Sequence, residues 1–489
     1  MWKPSAWARS AVPKARASDP RARPKLARHR SRAAAIRHPA RHLALRLVAI
    51  LAASSLVLAV LLGRLARPQP NVLLITLDSL RADVLGSYGC QRDTTPNLDT
   101  FAQRCYLFTH AFGQSFYTGP SHSAMLTSLY PRSHGAFTNE LALDRAHLNL
   151  AKYFRGRGYR TAAFVNVGLL GKPFHYDEGF GVFEEREGDG KMLAPASEWL
   201  AKQGSRPFFC WMHFNDAHSP YAPPPLFDQR YTAPTPPTRV LLEHDAMYAA
   251  WQAKTLTADE VQWAKDQYDA DVHSLDDQLG VLLGRLQASG LLQRTIIVVV
   301  ADHGEGFNLA GGRFGHGYYL YDDIVHVPLL LYVPFESWRL EETRRIDTLV
   351  QGIDLAPTLA VLTGGRIPPV FQGTSLVPLL NGTRQTLHDD LILGVGWQRQ
   401  PVAVRSLRWK FINDTNQPPD ELYDLEHDPG ETRNLLKGDP TLAKPFEQRL
   451  RQWRGQVPEY QAAGSQPSAT AEEVKQLMQR AGYLPHDRR

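Results

Sequence analysis

NVLLITL, from Asn71 to Leu77, followed at once by Asp78 and then SLRAD, decides the fold. A nearly continuous apolar run of strand length reads as a strand buried on both faces, as in a parallel sheet. Ligands of open α/β sheets bind beyond the carboxyl ends of the strands, so Asp78 is a site candidate. The same grammar recurs. TAAFV (Thr161 to Val165) ends at Asn166, FFCWM (Phe208 to Met212) ends at His213, and TIIVVVA (Thr295 to Ala301) ends at Asp302 and His303. Four runs thus deliver polar groups to one edge.

Helical segments alternate with these runs. Tyr268 to Ala288 sets Val272, Leu275, Leu279, Leu282, Leu283 and Leu286 on one face, with Thr257 and Glu260 as a capping box upstream. The expected architecture is an α/β fold: a large doubly wound, mostly parallel sheet sandwiched by helices. A further strand is expected at Pro328 to Tyr332 and a helix at Ile353 to Gly365. From about residue 390 the pieces LILGVGW and VAVRSLRWKFI predict a smaller C-terminal antiparallel-sheet subdomain. The expected divisions are a catalytic domain over 71–385, the subdomain over 386–460 and a helical or loose tail over 461–489. Residues 222–239, rich in Pro and charge, read as a long surface loop of the kind that shapes substrate access.

Charge is unevenly placed. Residues 1–67 carry 15 Lys and Arg against Asp19, a net +14, so the chain's +6 leaves −8 for everything after them. A nucleic-acid-binding reading of the basic composition therefore fails, because the excess belongs to the leader. Residues 43–63 hold only Arg46 as a charge and can span a bilayer if that side chain snorkels. Twelve Lys/Arg precede Leu43, and only Arg64 and Arg67 follow before the fold begins. The positive-inside rule then predicts a single-pass signal anchor in the cell membrane: a basic cytoplasmic tail over 1–42, a transmembrane helix over 43–63 and an extracytoplasmic catalytic domain. A cleaved signal peptide is the alternative. Cys90, Cys105 and Cys210 allow at most one disulfide and have no metal-ligand spacing.

SFYTGPSHSAMLTS, Ser115 to Ser128, places Thr118 just ahead of Gly119 and Pro120, where a helix begins. Locally this is an ordinary Thr cap. A hydroxyl at a helix N-terminus also stands where anions are favoured, which is a position for a nucleophile facing a phosphate or sulfate. Asp78, Thr118, Asp302 and His303 would meet at the same sheet edge. Carboxylates, a hydroxyl and an imidazole suit a divalent cation, with Ca, Mn, Mg and Zn all open.

The ordered set of motifs resembles the sulfatase family of the alkaline phosphatase superfamily. It runs through DSLRAD, TPNLDTFA, TGPSHSAMLTSLYP, HFNDAHSPY, ADHGEGF, GHG with LYDDIVHVP, DLAPTL and ELYDLEHDPGETRNL, from about Asn71 to Trp453. The resemblance implies metal ligands at Asp78, Asp302 and His303, and a nucleophile at Thr118 that also touches the metal. It implies a leaving-group or substrate histidine at His218 and an anion-binding residue at His316. His122, Asn166 and His213 are weaker substrate-binding candidates, and Asp216 falls beside them. Departures are equally informative. The family's C/S-x-P-S-R supplies the residue oxidised to formylglycine, whereas this chain has Thr118, with His122 in place of the Arg; a secondary alcohol cannot give that aldehyde. Ser79 replaces the second carboxylate of the family's pair, and Asn166 stands for its lysine.

What the resemblance implies is a metal-dependent hydrolase of anionic phospho- or sulfo-esters, on a lipid or glycan, working through Thr118 without formylglycine, and the charge pattern around residues 43–63 adds the expectation that it is membrane-anchored. A phospho-group transferase, a sulfatase lacking formylglycine and a silent binding domain are the alternatives. Histidines in the pocket are expected to make activity vary between about pH 6 and 8.

Overall fold

The computed structural model describes residues 48–55 and 69–481, apart from 189–190, 228–229, 232–235, 241–243, 309–312, 336–337, 339–343, 396–400, 415–418 and 462–465. Its strands are β1 (Asn71–Leu77), β2 (Tyr106–Phe112), β3 (Arg160–Val165), β4 (Val182–Glu185), β5 (Phe208–Phe214), β6 (Thr295–Ala301), the hairpin β7 (Phe307–Asn308) with β8 (Arg313–Phe314), β9 (His326–Val327), β10 (Leu329–Tyr332) and β11 (Arg344–Gln351). The main sheet runs β11-β2-β10-β6-β1-β5-β3-β4, with β9 beside β2. Its pairings are parallel except those of β10 and β9. Every residue of β1, β5 and β6 is buried, as their unbroken apolar runs require.

Register explains why the acids meet. Leu77 lies opposite Phe214 on one side and Ala301 on the other, so β1 and β6 end level and project Asp78 and Asp302 side by side. His213 corrects the expected boundary. It lies inside β5, in register with Thr76, because the strand continues through Phe214 before turning.

The helix Thr118–Thr127 has all ten residues buried and ends at Ser128, whose φ of 56° is left-handed. The long helix Ala258–Ala288 opens with the expected capping box: Glu260 N donates to Thr257 Oγ1 at 3.3 Å and Thr257 N to Glu260 Oε2 at 2.8 Å. A four-strand meander, β12 (Asp390–Gly394), β13 (Val402–Ser406), β14 (Trp409–Asn413) and β15 (Glu421–Asp424), forms the C-terminal sheet. Leu391, Leu393, Ala403, Ile412 and Tyr423 join it to Phe112, Phe116, Leu320 and Ile324 of the main body. The helix Lys444–Gln456 covers its other face through Phe446, Leu450 and Trp453. The described part of the final segment is also helical, Ala471–Arg480, and it is seated: Met478 and Ala481 belong to the main core.

The chain divides into two compact units, Met1–Arg67 and Pro68–Arg489. Of the expected span 43–63, only 48–55 is described, and it is helical and exposed; the rest of that span, and the basic tail, lie outside the described residues. Among the described residues no helix is long and apolar enough to cross a membrane.

Candidate active site

Asp78, Asp302 and His303 present ligand atoms all within 4.8 Å of one another, and all three are buried. His303 Nε2 lies 3.7 Å from Asp78 Oδ1 and 3.5 Å from Asp302 Oδ2. Backbone geometry fixes the carboxylates. Ser79 takes a left-handed φ of 56°, which turns its N–H onto Asp302 Oδ1 at 3.2 Å while its hydroxyl donates to Asp78 Oδ1 at 3.0 Å. His303 N also donates to Asp302 Oδ1, at 2.8 Å. One oxygen of each acid is thereby spent, and the other, Oδ2 of Asp78 and of Asp302, is buried with no hydrogen-bond partner among the described residues.

Thr118 stands beside this pair. Its Oγ1 is 3.4 Å from His303 Nε2, and the Ser121 hydroxyl, one turn on, donates to the Asp302 carbonyl at 2.8 Å and pins the helix there. The cap reading of Thr118 is corrected: the N-cap is Tyr117, Thr118 is the first helical residue, and Pro120 is the third. One expected anion donor is also absent, because Gly119 N–H is taken by Asn139 Oδ1 at 2.8 Å.

Four histidines share one device. His122 Nδ1 meets the Thr118 carbonyl at 2.9 Å, His303 Nδ1 the Gly304 carbonyl at 3.0 Å, His218 Nδ1 the Ser219 carbonyl at 2.6 Å, and His316 Nδ1 the Glu305 carboxylate at 3.0 Å. These partners only accept, so each ring carries its proton on Nδ1 and its lone pair on Nε2. That is how metal-ligating and proton-transferring histidines are oriented. The rings interlock: His303 to His316 at 4.6 Å, His218 to His316 at 4.9 Å, and His122 edge-on to His213 at 4.7 Å. His213 Nε2 in turn lies 3.4 Å from Asp78 Oδ2.

The match to known proteins follows this geometry. The family model described as Sulfatase covers residues 70–365, and that of the N-sulphoglucosamine sulphohydrolase C-terminal region covers 313–456. The chain belongs to the sulfatase family. It is an ester hydrolase of that superfamily, of the sulfuric or phosphoric ester class. An ulvan-active sulfatase of Formosa agariphila is 26% identical over 78% of this chain and 80% of its own length. A delta 4,5-hexuronate-2-O-sulfatase of Bacteroides thetaiotaomicron is 25% identical over 78% of this chain and 87% of its own. In fold the chain is similar to a phosphonate monoester hydrolase of Agrobacterium radiobacter, with TM-score 0.65 and 21% identity over 80% of this chain and 96% of that one.

The donor set of this sulfatase-family site fits a divalent cation. Two adjacent carboxylates in a dry site repel, and no lysine or arginine forms an ion pair with either among the described residues. Burial and then the Asp78 charge push Asp302 well above the usual carboxylate range. Burial works against Asp78 too, but the His213 ring 3.4 Å away and the neighbouring histidines hold it low. A cation would relieve that conflict and engage the orphaned oxygens.

His122, His303 and His316 are all lowered, chiefly by burial, His316 to about 3. The expectation that His316 titrates near neutrality is therefore corrected. Asn166 sits one strand from the cluster, its amide donating to Asp216 Oδ2 at 3.3 Å. Sequence reading missed Glu305, wholly buried, which orients His316 and accepts from the Tyr221 hydroxyl at 2.9 Å. Its signal was present in ADHGEGF, an acid two residues past His303.

Proposed function

We propose that this protein is a membrane-anchored, metal-dependent hydrolase of phosphate-type esters with Thr118 as nucleophile. The observation that carries the reading is a buried hydroxyl on the first turn of a buried helix, 3.4 Å from His303 Nε2 and beside two half-used carboxylates. Asp78, Asp302, His303 and Thr118 would hold the cation, which when bound lowers the hydroxyl's pKa and screens the ester's charge. Thr118 Oγ1 attacks phosphorus, the bond from phosphorus to the alkoxide breaks, and a phospho-threonine remains. Water then attacks the same phosphorus, the bond from phosphorus to Thr118 Oγ1 breaks, the phosphate product leaves and a proton from the water restores the hydroxyl.

Proton movement follows from the tautomers. Burial keeps His316 neutral at neutral pH, with its lone pair at Nε2, so it must first take a proton before giving it to the alkoxide. The Thr118 hydroxyl is the source. Glu305 supports a transient positive charge on His316 from the other side of the ring.

Phosphorus is favoured over sulfur because a threonine ester has no aldehyde to re-form and must be hydrolysed at its central atom, which in-line displacement at phosphorus accommodates. Relatives named as sulfatases support the wider ester class. The anchor rests on the charge pattern around residues 43–63. Protease added to intact spheroplasts should digest the catalytic unit and spare the basic tail; a soluble form beginning near residue 65 would remove the anchor from this reading.

The decisive test is Thr118→Ala and Thr118→Ser with matched nitrophenyl phosphate, phosphodiester, phosphonate and sulfate esters. Loss of the hydroxyl should lower kcat by about four orders of magnitude, Ser should keep part of the rate, and mass spectrometry of a quenched reaction should find phosphate on Thr118. Because Thr118 is the first helical residue and not the N-cap, stability should change by only about 1 kcal/mol. A sulfate preference abolished by Thr118→Ala would make the protein a sulfatase instead.

A further inference from the structure

The amino ends of the parallel strands carry a charge that the reaction does not use. Three connections run there, RGRGYR (Arg155 to Arg160) into β3, KQGSRP (Lys202 to Pro207) into β5 and RLQASGLLQR (Arg285 to Arg294) into β6, and they hold seven Lys and Arg with no Asp or Glu. Everything after residue 67 sums to −8, so this positive charge is local. Register brings the three together. Arg160 lies opposite Phe208, Val72 opposite Phe209 and Asn71 opposite Thr295, so β3, β5, β1 and β6 start level as four adjacent strands. Three strand spacings span about 15 Å. The chain itself enters the catalytic unit at this end, through Gln69 and Pro70 into β1.

Helix ends account for part of this charge. The helices Leu150–Gly156 and Ala258–Ala288 finish here with Arg155 and Arg285 in their last turns, where a cation complements the helix dipole. Arg160, Arg206 and Arg294 stand at strand starts and exceed that need. Arg160 Nη1 donates to Gln203 Oε1 at 3.1 Å and Arg294 donates to the Gly204 carbonyl, so both hold the turn before β5 through neutral acceptors. Lys202 pairs with Glu198 at 2.5 Å, but among the described residues no carboxylate pairs with any of the six arginines. The surface is open, since a Cβ on Gly158, Gly204 or Gly290 would meet nothing within 4 Å. Tyr159, Leu286, Leu291 and Leu292 of these connections are buried, so the face can attract a partner by charge but offers it no large apolar side chain. That combination suits a surface of phosphate headgroups better than a folded protein, whose interfaces need apolar anchors.

We infer that the amino end of the sheet docks on an anionic phospholipid surface and turns the reactive edge to the water. Asp78 and Asp302 stand at the opposite ends of β1 and β6, and seven strand residues separate the two ends by about 23 Å. Each Lys or Arg brought near anionic headgroups strengthens binding about fivefold, so a few of them suffice to set an orientation. The inference rests on the anchor reading above only for bringing a bilayer within reach of this face. Its consequence concerns substrate class: the esters are presented from the aqueous side and are not headgroups of the bilayer on which the protein sits.

The test uses the full chain reconstituted into vesicles of phosphatidylcholine, alone or mixed equally with phosphatidylglycerol, and followed by hydrogen exchange. Residues 155–160, 202–207 and 287–294 should exchange about tenfold more slowly on the anionic vesicles, and high salt should erase the difference. The combined variant Arg160→Gln, Lys202→Gln, Arg206→Gln and Arg285→Gln should lose it. The combined variant Arg433→Gln, Lys437→Gln, Lys444→Gln and Arg451→Gln, at exposed positions of the C-terminal subdomain, removes as much charge and should keep it. Absence of slowing in the parent would overturn the inference, as would equal loss in both variants, which would make overall charge the cause. Stronger slowing by a DNA duplex than by the vesicles would also overturn it, in favour of a nucleic-acid surface. In the kinetic arm, kcat/KM for a soluble nitrophenyl ester on anionic vesicles should agree within about twofold between the parent and the first variant. A parent about tenfold slower there would turn the reactive edge to the bilayer and overturn the orientation. Loss of the full chain from neutral vesicles on flotation would count against the anchor alone, and exchange on anionic vesicles against the lipid-free chain would then decide the docking face. Failure to turn over any ester would count against the esterase reading alone and leave the exchange arm to decide.

Discussion

Two buried polar clusters lie in this fold, and they are balanced in opposite ways. Between the main body and the C-terminal sheet, the wholly buried Lys410 ammonium sits 2.8 Å from Asp322 and 2.9 Å from Glu431. Arg405 adds a 2.8 Å contact to Asp322, and Arg313 approaches Glu431 at 3.8 Å. Each carboxylate there has fixed cations from the chain itself. At the reactive edge Asp78 and Asp302 have only histidines, two of which, His303 and His122, burial keeps neutral. The first cluster has its counter-charges built in, with Arg405 of β13 and Lys410 of β14 bound to Asp322. The second is short of positive charge, and that shortage supports it as the proposed reactive site.

Breaking the balanced cluster should therefore damage stability and spare the reaction. Lys410→Met strips one cation from between two buried carboxylates, with an expected loss of about 3–5 kcal/mol, the usual result of removing one partner of a buried pair. Chemical denaturation would give the loss, and metal uptake per folded molecule should be unchanged. An equal fall in metal uptake would mean that the two clusters are one coupled system.

The reactive edge should respond in the opposite sense. Asp302→Asn removes one of two repelling charges, so the metal-free protein should be as stable as the parent or firmer by about 1 kcal/mol. It should also lose the rise in Tm on adding divalent ions, together with activity. Differential scanning fluorimetry with and without Mn²⁺, Zn²⁺, Ca²⁺ or Mg²⁺ separates these effects. A variant that is markedly less stable without metal would show the carboxylates to be structural.

The same contrast explains what the sequence could tell. The strand runs were legible because β1, β5 and β6 are buried on both faces and so carry unbroken apolar runs, each leading to a polar site residue. The C-terminal meander was legible from its short pieces, and the Thr257 capping box from two residues three apart. Asp78, Thr118, Asp302 and His303 followed from motif order. The Thr118 helix was harder, because all ten residues are buried and no amphipathic face exists to set its frame; hence the misplaced cap. His213 was placed past its strand because a polar residue at position 213 reads as an end, whereas the fold buries it against Thr76 at 3.0 Å. Glu305 and the seat of the final helix on Gly168 depend on contacts over long sequence separations, which no local pattern records.

A third buried group sharpens the comparison on a smaller scale. His134 lies beneath the Thr118 helix with both ring nitrogens engaged: Nε2 meets the Pro120 carbonyl at 3.2 Å and Nδ1 accepts from Ala136 N at 3.1 Å. It is neutral and satisfied, unlike His122, whose Nε2 has no hydrogen-bond partner among the described residues. Burial, with a smaller push from His147, lowers it from 6.5 to about 3 against the opposing Pro120 bond. The folded state therefore resists a proton that the unfolded chain accepts below 6.5. Stability from this residue is complete above that value and declines as pH falls toward 3, by about 2 kcal/mol at pH 5. His134→Gln cannot titrate, so although it starts less stable at pH 7, its loss between pH 7 and 5 should be smaller than the parent's by that amount. Urea midpoints at the two pH values give the comparison, and His316, present in both proteins, cancels from the difference. Equal acid losses in parent and variant would show that His134 is not held neutral, and would place the acid sensitivity of the fold at the reactive edge instead.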